Sequence, residues 1–216
     1  MAKRLIRCVL VLGAIAAVLA ILEGGFNRWL LFYCAAWMVF AFYGMVSIDE
    51  DLARERFHPP EPGADRLSLR AIRLLALAHV IVGALDAGRW HLTTVPAPLR
   101  AVALAGMLTG ALLVIQSMRA NRFFSPVIRL QTERGHRVID SGPYRTIRHP
   151  GYLGMLIAML CSGLALGSWL AFALAAVYGA LIIRRVWFEE TFLKANLAGY
   201  TTYTTRVGYR LIPGVW

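Results

Sequence analysis

Charge is scarce in this sequence. Only 16% of its 216 residues are Asp, Glu, Lys or Arg, while 58% are hydrophobic. A soluble domain of this length needs more polar surface than that to cover its core. The scarcity is also concentrated. No charged residue stands between Trp29 and Ile48, between Ala101 and Met118, or between Gly151 and Ile183. Such runs match the roughly 20 apolar residues that cross ~30 Å of hydrocarbon. Leu5 to Leu22, interrupted only by Arg7, adds a fourth run, and Leu74 to Leu85 a weaker fifth. Cysteine is scarce too. Cys8, Cys34 and Cys161 each lie inside an apolar segment without paired spacing, which indicates neither a disulfide framework nor a zinc site. Internal repeats and low-complexity stretches are absent. These features exclude an ordinary soluble domain and imply an all-α, polytopic integral membrane protein.

The uncharged run from Gly151 to Ile183 is 33 residues long, about 50 Å as one helix at ~1.5 Å per residue. That is too long for one ordinary crossing. Gly163, Gly167 and Ser168 predict a break that folds it into a tight helical hairpin. Six helices follow, at about 5–22, 29–47, 70–88, 99–118, 151–166 and 168–188. An even number of crossings puts both termini on one side. On this arrangement 20 of the 23 basic residues share that side, and only Arg28, Arg89 and Arg100 face the other. Such asymmetry places both termini in the cytoplasm of what is expected to be a bacterial inner membrane. It also accounts for a net charge of +11 without a nucleic-acid partner, while leaving attraction to anionic headgroups open. The basic start and small residues Ala16, Ala17 and Ala20 resemble a signal peptide, but in a chain with five further apolar segments an uncleaved first helix is expected. Two loops stand out. Asp49 to Leu69 carries an acidic run and His58-Pro59-Pro60-Glu61-Pro62-Gly63, and is expected to be a loop of polyproline character. Arg119 to Pro150, with seven arginines, is longer than a plain connection requires. The chain thus divides into a four-helix region, 1–118, and a second region, 119–216, that holds most of the polar mass.

The second region reads, in order, Gly142-Pro143-Tyr144, Arg148-His149-Pro150-Gly151-Tyr152-Leu153-Gly154, the hairpin, Arg185, Glu189-Glu190, then Gly199, Tyr200, Tyr203, Arg206 and Ile212-Pro213. This order and spacing resembles the isoprenylcysteine carboxyl methyltransferase and phospholipid methyltransferase superfamily of membrane enzymes, over roughly residues 122–213. The resemblance implies S-adenosylmethionine-dependent methyl transfer to a lipophilic acceptor: a prenylcysteine-like carboxylate, a phospholipid amine or a small lipophile. It also implies a cytoplasmic cofactor site formed by Gln131, His136, Arg137, Val138, Ile139, Tyr144, His149, Pro150, Gly151, Tyr152 and Glu189. Arg185 matches a substrate-side arginine, and Glu190 is a candidate to assist an acceptor that must lose a proton. No metal is implied. One departure is visible, since Arg129 stands where the family often has a polar residue such as Gln, a place Gln131 is available to fill.

Residue chemistry is compatible with that cofactor, which carries a sulfonium, an amino-acid head and an adenine. Pro150 suits the first turn of a helix. His149 then falls at the helix start, beside free N–H groups able to hold a carboxylate. Gly151 and Gly154 leave room for close approach. If the hairpin closes, Glu189 and Glu190 return to the level of His149. Simpler readings exist for each residue alone: a helix cap for His149, a headgroup anchor for Arg148, a solvated helix end for Glu189-Glu190, an intrahelical ion pair for Arg185 and Glu189, and an aromatic belt for the tyrosines, Trp187 and Trp216. His79 and Asp86, seven apart on one helical face, are either a buried polar pair or, for Asp86, an interfacial residue. Methyl transfer has two rivals. NADPH-dependent membrane sterol and steroid reductases share a related C-terminal region, but the additional Asn or Tyr motifs they usually carry are not found. A non-catalytic membrane scaffold of the same fold is the other, against which the acid pair and the complete His-Pro-x-Tyr-x-Gly segment argue.

Overall fold

The computed structural model describes residues 2–59 and 65–216, with residues 2–4 as backbone only, and among these residues it is helical with no strand. The expected proline-rich segment lies outside the described residues from Pro60 to Ala64. Among the described residues eight α-helices form: α1 Ala2–Glu23, α2 Arg28–Ser47, α3 Glu50–Phe57, α4 Arg66–Leu85, α5 Ala97–Ala120, α6 Pro150–Leu166, α7 Trp169–Asn196 and α8 Tyr200–Arg206. Five are long and apolar enough to cross a membrane, and the 17-residue α6 is a shorter apolar helix. All six expected apolar helices are therefore present. At 28 residues α7 runs to about 42 Å, so its last turns extend beyond a ~30 Å hydrocarbon layer and carry Arg185, Glu189 and Glu190 toward the interface.

The helix ends follow local chemistry. Asn27 begins α2 by accepting from the N–H groups of Trp29 and Leu30 at 2.9 and 3.0 Å. The hairpin turns where the glycines predicted it. Gly167 ends α6 in the left-handed region at φ 98°, and the Ser168 hydroxyl caps α7 by accepting from Ala171 N–H at 3.0 Å. A Cβ on Gly163 would lie 2.5 Å from the Phe172 nitrogen, so the two arms touch backbone to backbone.

α3 was not foreseen within a segment expected to be a loop. Asp49 caps it by accepting from Leu52 N–H at 2.8 Å, Glu50 and Asp51 occupy its first turn, and Arg54 and Arg56 its last. This charge order complements the helix dipole and stabilises a helix of only eight residues.

α6 packs most extensively on α5. A Cβ on Gly110 would meet Ala158 N at 2.5 Å, and one on Gly154 would meet Gly110 O at 2.6 Å. Small residues that let helix backbones approach are the usual solution where lipid removes the hydrophobic drive for association. Gly154, expected to make room for a ligand, instead makes room for α5.

His79 and Asp86 are both fully buried but are not a pair. His79 bonds the Ala171 carbonyl through Nδ1 and the Ser162 hydroxyl through Nε2, each at 2.9 Å, and Ser162 in turn meets the Tyr33 hydroxyl at 2.8 Å. Asp86 accepts from Ser168 at 2.6 Å and from the Thr93 N–H and hydroxyl. Both residues tie α4 to the hairpin. On the sparsely basic side, Arg89 donates to the carbonyls of Ile21 and Leu22, and Arg100 to those of Ala165 and Leu166. These arginines satisfy helix-end carbonyls that a membrane would otherwise leave bare.

Candidate functional site

The tail folds back on the Arg148-His149 segment. The backbone N–H groups of Arg148 and His149 donate to the carbonyls of Tyr209 and Arg210, each at 2.9 Å, and the Arg148 guanidinium donates to Val207 O at 2.6 Å. Tyr203 donates its hydroxyl to Tyr144 O at 2.7 Å, fixing α8 to the Gly-Pro-Tyr turn. α3 is fastened to the long loop by charge. Arg129 and Glu55, both buried, pair at 2.7 Å, Ser125 also donates to Glu55 at 2.7 Å, and Arg134 reaches Asp51 at 2.6 Å.

These segments enclose a cavity of about 240 Å³. Its lining falls into two groups. One comes from the loop and α8: Gln131, His136, Arg137, Val138, Ile139, Tyr144, His149, Tyr200 and Tyr203. The other comes from the long helices: Leu69, Ile72, Met155, Tyr178 and Ile182. Tyr152 joins them, because its hydroxyl accepts from Arg185 Nε at 2.8 Å and donates to Glu189 Oε2 at 2.5 Å. Arg185 also donates to Pro126 O at 2.5 Å. Glu189 lies within electrostatic reach of His136, Tyr144 and Tyr200, on the loop side. Arg185 lies within reach of Tyr178 and Arg56, on the membrane-helix side. The two charges expected to pair directly are therefore bridged by a phenol and remain within electrostatic reach of each other.

Two buried polar atoms on this lining have no hydrogen-bond partner among the described residues: His149 Nε2, which is 3.7 Å from Glu190, and the Tyr200 hydroxyl. Buried polar groups are nearly always satisfied, so two orphans in one cavity fit a polar ligand. Burial pushes the Tyr144 and Tyr200 phenols up, and the Tyr203 phenol up to about 12, so all three remain neutral O–H donors near pH 7. Burial lowers the His136 imidazole below its usual range. Its ring lies 4.6 Å from Phe123 and its Nδ1 accepts from Gln131 N–H at 3.3 Å, an arrangement that requires the neutral form.

Of the residues named from sequence, Gln131, His136, Arg137, Val138, Ile139, Tyr144, His149, Gly151, Tyr152, Arg185 and Glu189 line the cavity. Pro150 is buried as the first residue of α6 and does not line it. Glu190 does not line it either. Its carboxylate is buried between Arg148 and Arg210, the latter at 2.7 Å, which occupies both oxygens. Two expected features take other roles. The space left by the missing Gly151 side chain is filled by the Phe124 ring, 2.5 Å from where a Cβ would sit. The Gln131 amide is engaged with Phe123 O at 2.8 Å and with Arg134, while Arg129 is taken up by Glu55 and Glu133. Arg56 and Tyr178 also line the cavity and were missed. The capping pattern at Asp49 to Asp51 was a signal for α3, but nothing local marked where that helix would dock.

A polytopic helical membrane protein with a half-polar, half-apolar cavity at the end of a helical hairpin is the class that fold and site define. Comparison with known proteins narrows it. Residues 99–198 match the phospholipid methyltransferase family model. A probable protein-S-isoprenylcysteine O-methyltransferase of Oryza sativa subsp. indica is 42% identical over 81 residues, covering 35% of this chain and 40% of that protein. Protein-S-isoprenylcysteine O-methyltransferase B of Arabidopsis thaliana is 33% identical over 95 residues, covering 41% and 46%. The chain spans less than half the length of these curated relatives. The matched residues overlap the stretch in which the ordered motif implied that resemblance, so over its C-terminal region the chain is similar to this family.

Proposed function

We propose that this protein transfers a methyl group from S-adenosylmethionine to a lipophilic, carboxylate-bearing acceptor that enters from the bilayer. The observation that carries the reading is one cavity in which the unpartnered His149 Nε2 and Tyr200 hydroxyl share the lining with Glu189, while Arg185 faces apolar walls on the far side of Tyr152. The loop group, with His149, Tyr200 and Glu189, would hold the cofactor. When bound, S-adenosylmethionine would supply an electrophilic sulfonium methyl to an acceptor oxygen, with a neutral thioether as the leaving group. Arg185 offers a planar, bidentate partner to a carboxylate. Glu190 is engaged by two arginines and is poorly placed to act as a base, which favours an acceptor that needs none. A carboxylate attacks with its own lone pair, in keeping with relatives named O-methyltransferases. Glu190 then acts as a positioning residue that holds Arg148, and with it the tail, against the site. Positioning and exclusion of water by the 119–150 loop and the tail would supply most of the rate. The asymmetry of basic residues supports a cytoplasmic site and cytoplasmic termini.

Calorimetric titration of the purified protein with S-adenosylhomocysteine, and separately with NADPH, tests this. S-adenosylhomocysteine should bind and NADPH should not. His149→Ala and Glu189→Gln should each weaken binding by ~1.5–3 kcal/mol, the usual worth of a hydrogen bond to a charged group. Binding of NADPH alone, or affinity unchanged in both variants, overturns the assignment.

A further inference from the structure

The charge on the acceptor side of the cavity is unbalanced. Arg56 lines the cavity from α3, outside the matched residues 99–198, and makes no ion pair among the described residues. It lies over the face of the Phe124 ring at 5.4 Å, within electrostatic reach of the Tyr152 and Tyr178 phenols and of two like charges, Arg185 and Arg73. By contrast Arg129, Arg134, Arg148 and Arg210 each hold a carboxylate. Glu189 and Asp65 lie within electrostatic reach of Arg185, whereas no carboxylate among the described residues acts on Arg56.

Arg56 is also not what keeps α3 in place. Leu52 is buried, Asp51 holds Arg134 and Glu55 holds Arg129 and Ser125. One residue beyond Glu55, about 100° around the helix, Arg56 shares the face of Leu52 and lies against Phe124 on the cavity lining. A guanidinium half-buried beside like charges is costly unless an anion joins it. Besides Arg73 and the Tyr178 phenol, the long helices line the cavity with the apolar Leu69, Ile72, Met155 and Ile182.

We infer that Arg56 is a substrate-binding, specificity-determining residue that, with Arg185, clamps the anionic headgroup of an amphiphile whose carboxylate accepts the methyl. The inference rests on the methyl-transfer reading. It adds that α3, from the N-terminal region, completes the acceptor site. The same chemistry is offered by an anionic lipid headgroup, and the test separates the two.

The protein in neutral dodecyl maltoside, saturated with S-adenosylhomocysteine, is titrated with N-acetyl-S-farnesylcysteine, with its carboxamide, and with dioleoylphosphatidylglycerol. The acid should bind at least about tenfold more tightly than the uncharged amide, as expected for charge-assisted contacts. Arg56→Gln should weaken the acid by about tenfold, abolish the preference for acid over amide, and leave both S-adenosylhomocysteine affinity and melting temperature unchanged. Arg56→Lys should restore part of the preference. Acid binding that is equal in Arg56→Gln and wild type overturns the inference, as does a wild type that does not prefer the acid. Dependence on Arg56 for phosphatidylglycerol but not for the farnesylated acid also overturns it, and marks a structural lipid site. A wild type that binds the acid through Arg56 but never binds S-adenosylhomocysteine keeps the clamp and removes the methyl-transfer reading instead.

Discussion

Removing one oxygen, by Tyr152→Phe, tests the centre of the site. The Tyr152 hydroxyl accepts from Arg185 at 2.8 Å and donates to Glu189 at 2.5 Å, so it links the proposed acceptor side to the proposed cofactor side. Phenylalanine keeps the ring and its packing against Ile72, Tyr178 and Ile182, so no cavity forms. What is lost is two hydrogen bonds to charged groups, each worth ~1.5–3 kcal/mol where the charge has no substitute partner. Arg185 retains Pro126 O, and Glu189 can turn toward a bound ammonium, so the lower end of that range for one bond is the expected net loss. At about 1.4 kcal/mol per factor of ten, kcat/KM should fall about tenfold to thirtyfold. The assay is transfer of a labelled methyl group to N-acetyl-S-farnesylcysteine, with S-adenosylhomocysteine affinity measured in parallel. In a double-mutant cycle, Tyr152→Phe should cost clearly less in a Glu189→Gln background than in wild type, because the two side chains act through one contact. A Tyr152→Phe enzyme with kcat/KM within twofold of wild type, or strict additivity in the cycle, would refute the coupling.

Topology and pH response follow from the same structure. A cysteine placed at the exposed Thr132, in a background whose three native cysteines are alanine, should react with an impermeant maleimide only from the cytoplasmic face, and labelling from outside overturns the proposed orientation. Burial lowers the folded-state His136 pKa below the ordinary 6.5, so the unfolded chain takes up a proton first as pH falls. The stability of the loop that carries His136 should therefore be complete above pH 6.5 and decline below it, read as falling melting temperature and rising proteolysis of the 122–140 segment. His136→Asn should flatten this dependence, and an unchanged pH profile would sink the assignment.

Hydropathy and turn chemistry are local properties, and they determined a good deal. Uncharged runs defined six apolar helices, Gly163 to Ser168 located the hairpin turn, and Arg-His-Pro-Gly-Tyr marked the head of α6. The ordered motif also placed His136, Tyr144, His149, Tyr152 and Glu189 in one site, because a hairpin must return its second arm to the start of the first. What sequence left undecided are the partners of charges far apart in the chain. Glu55 meets Arg129 across 74 positions and Arg148 meets Glu190 across 42, and no periodicity encodes either contact. Glu189 and Glu190 are adjacent and alike in sequence, yet α7 turns one into the cavity and the other into a clamp between two arginines. Gly154 could serve a ligand or a neighbouring helix, and only the approach of α5 chose between them. Burial and proximity in three dimensions decide which like-looking charges bind, brace or stand free, and those quantities exist only once the helices have packed.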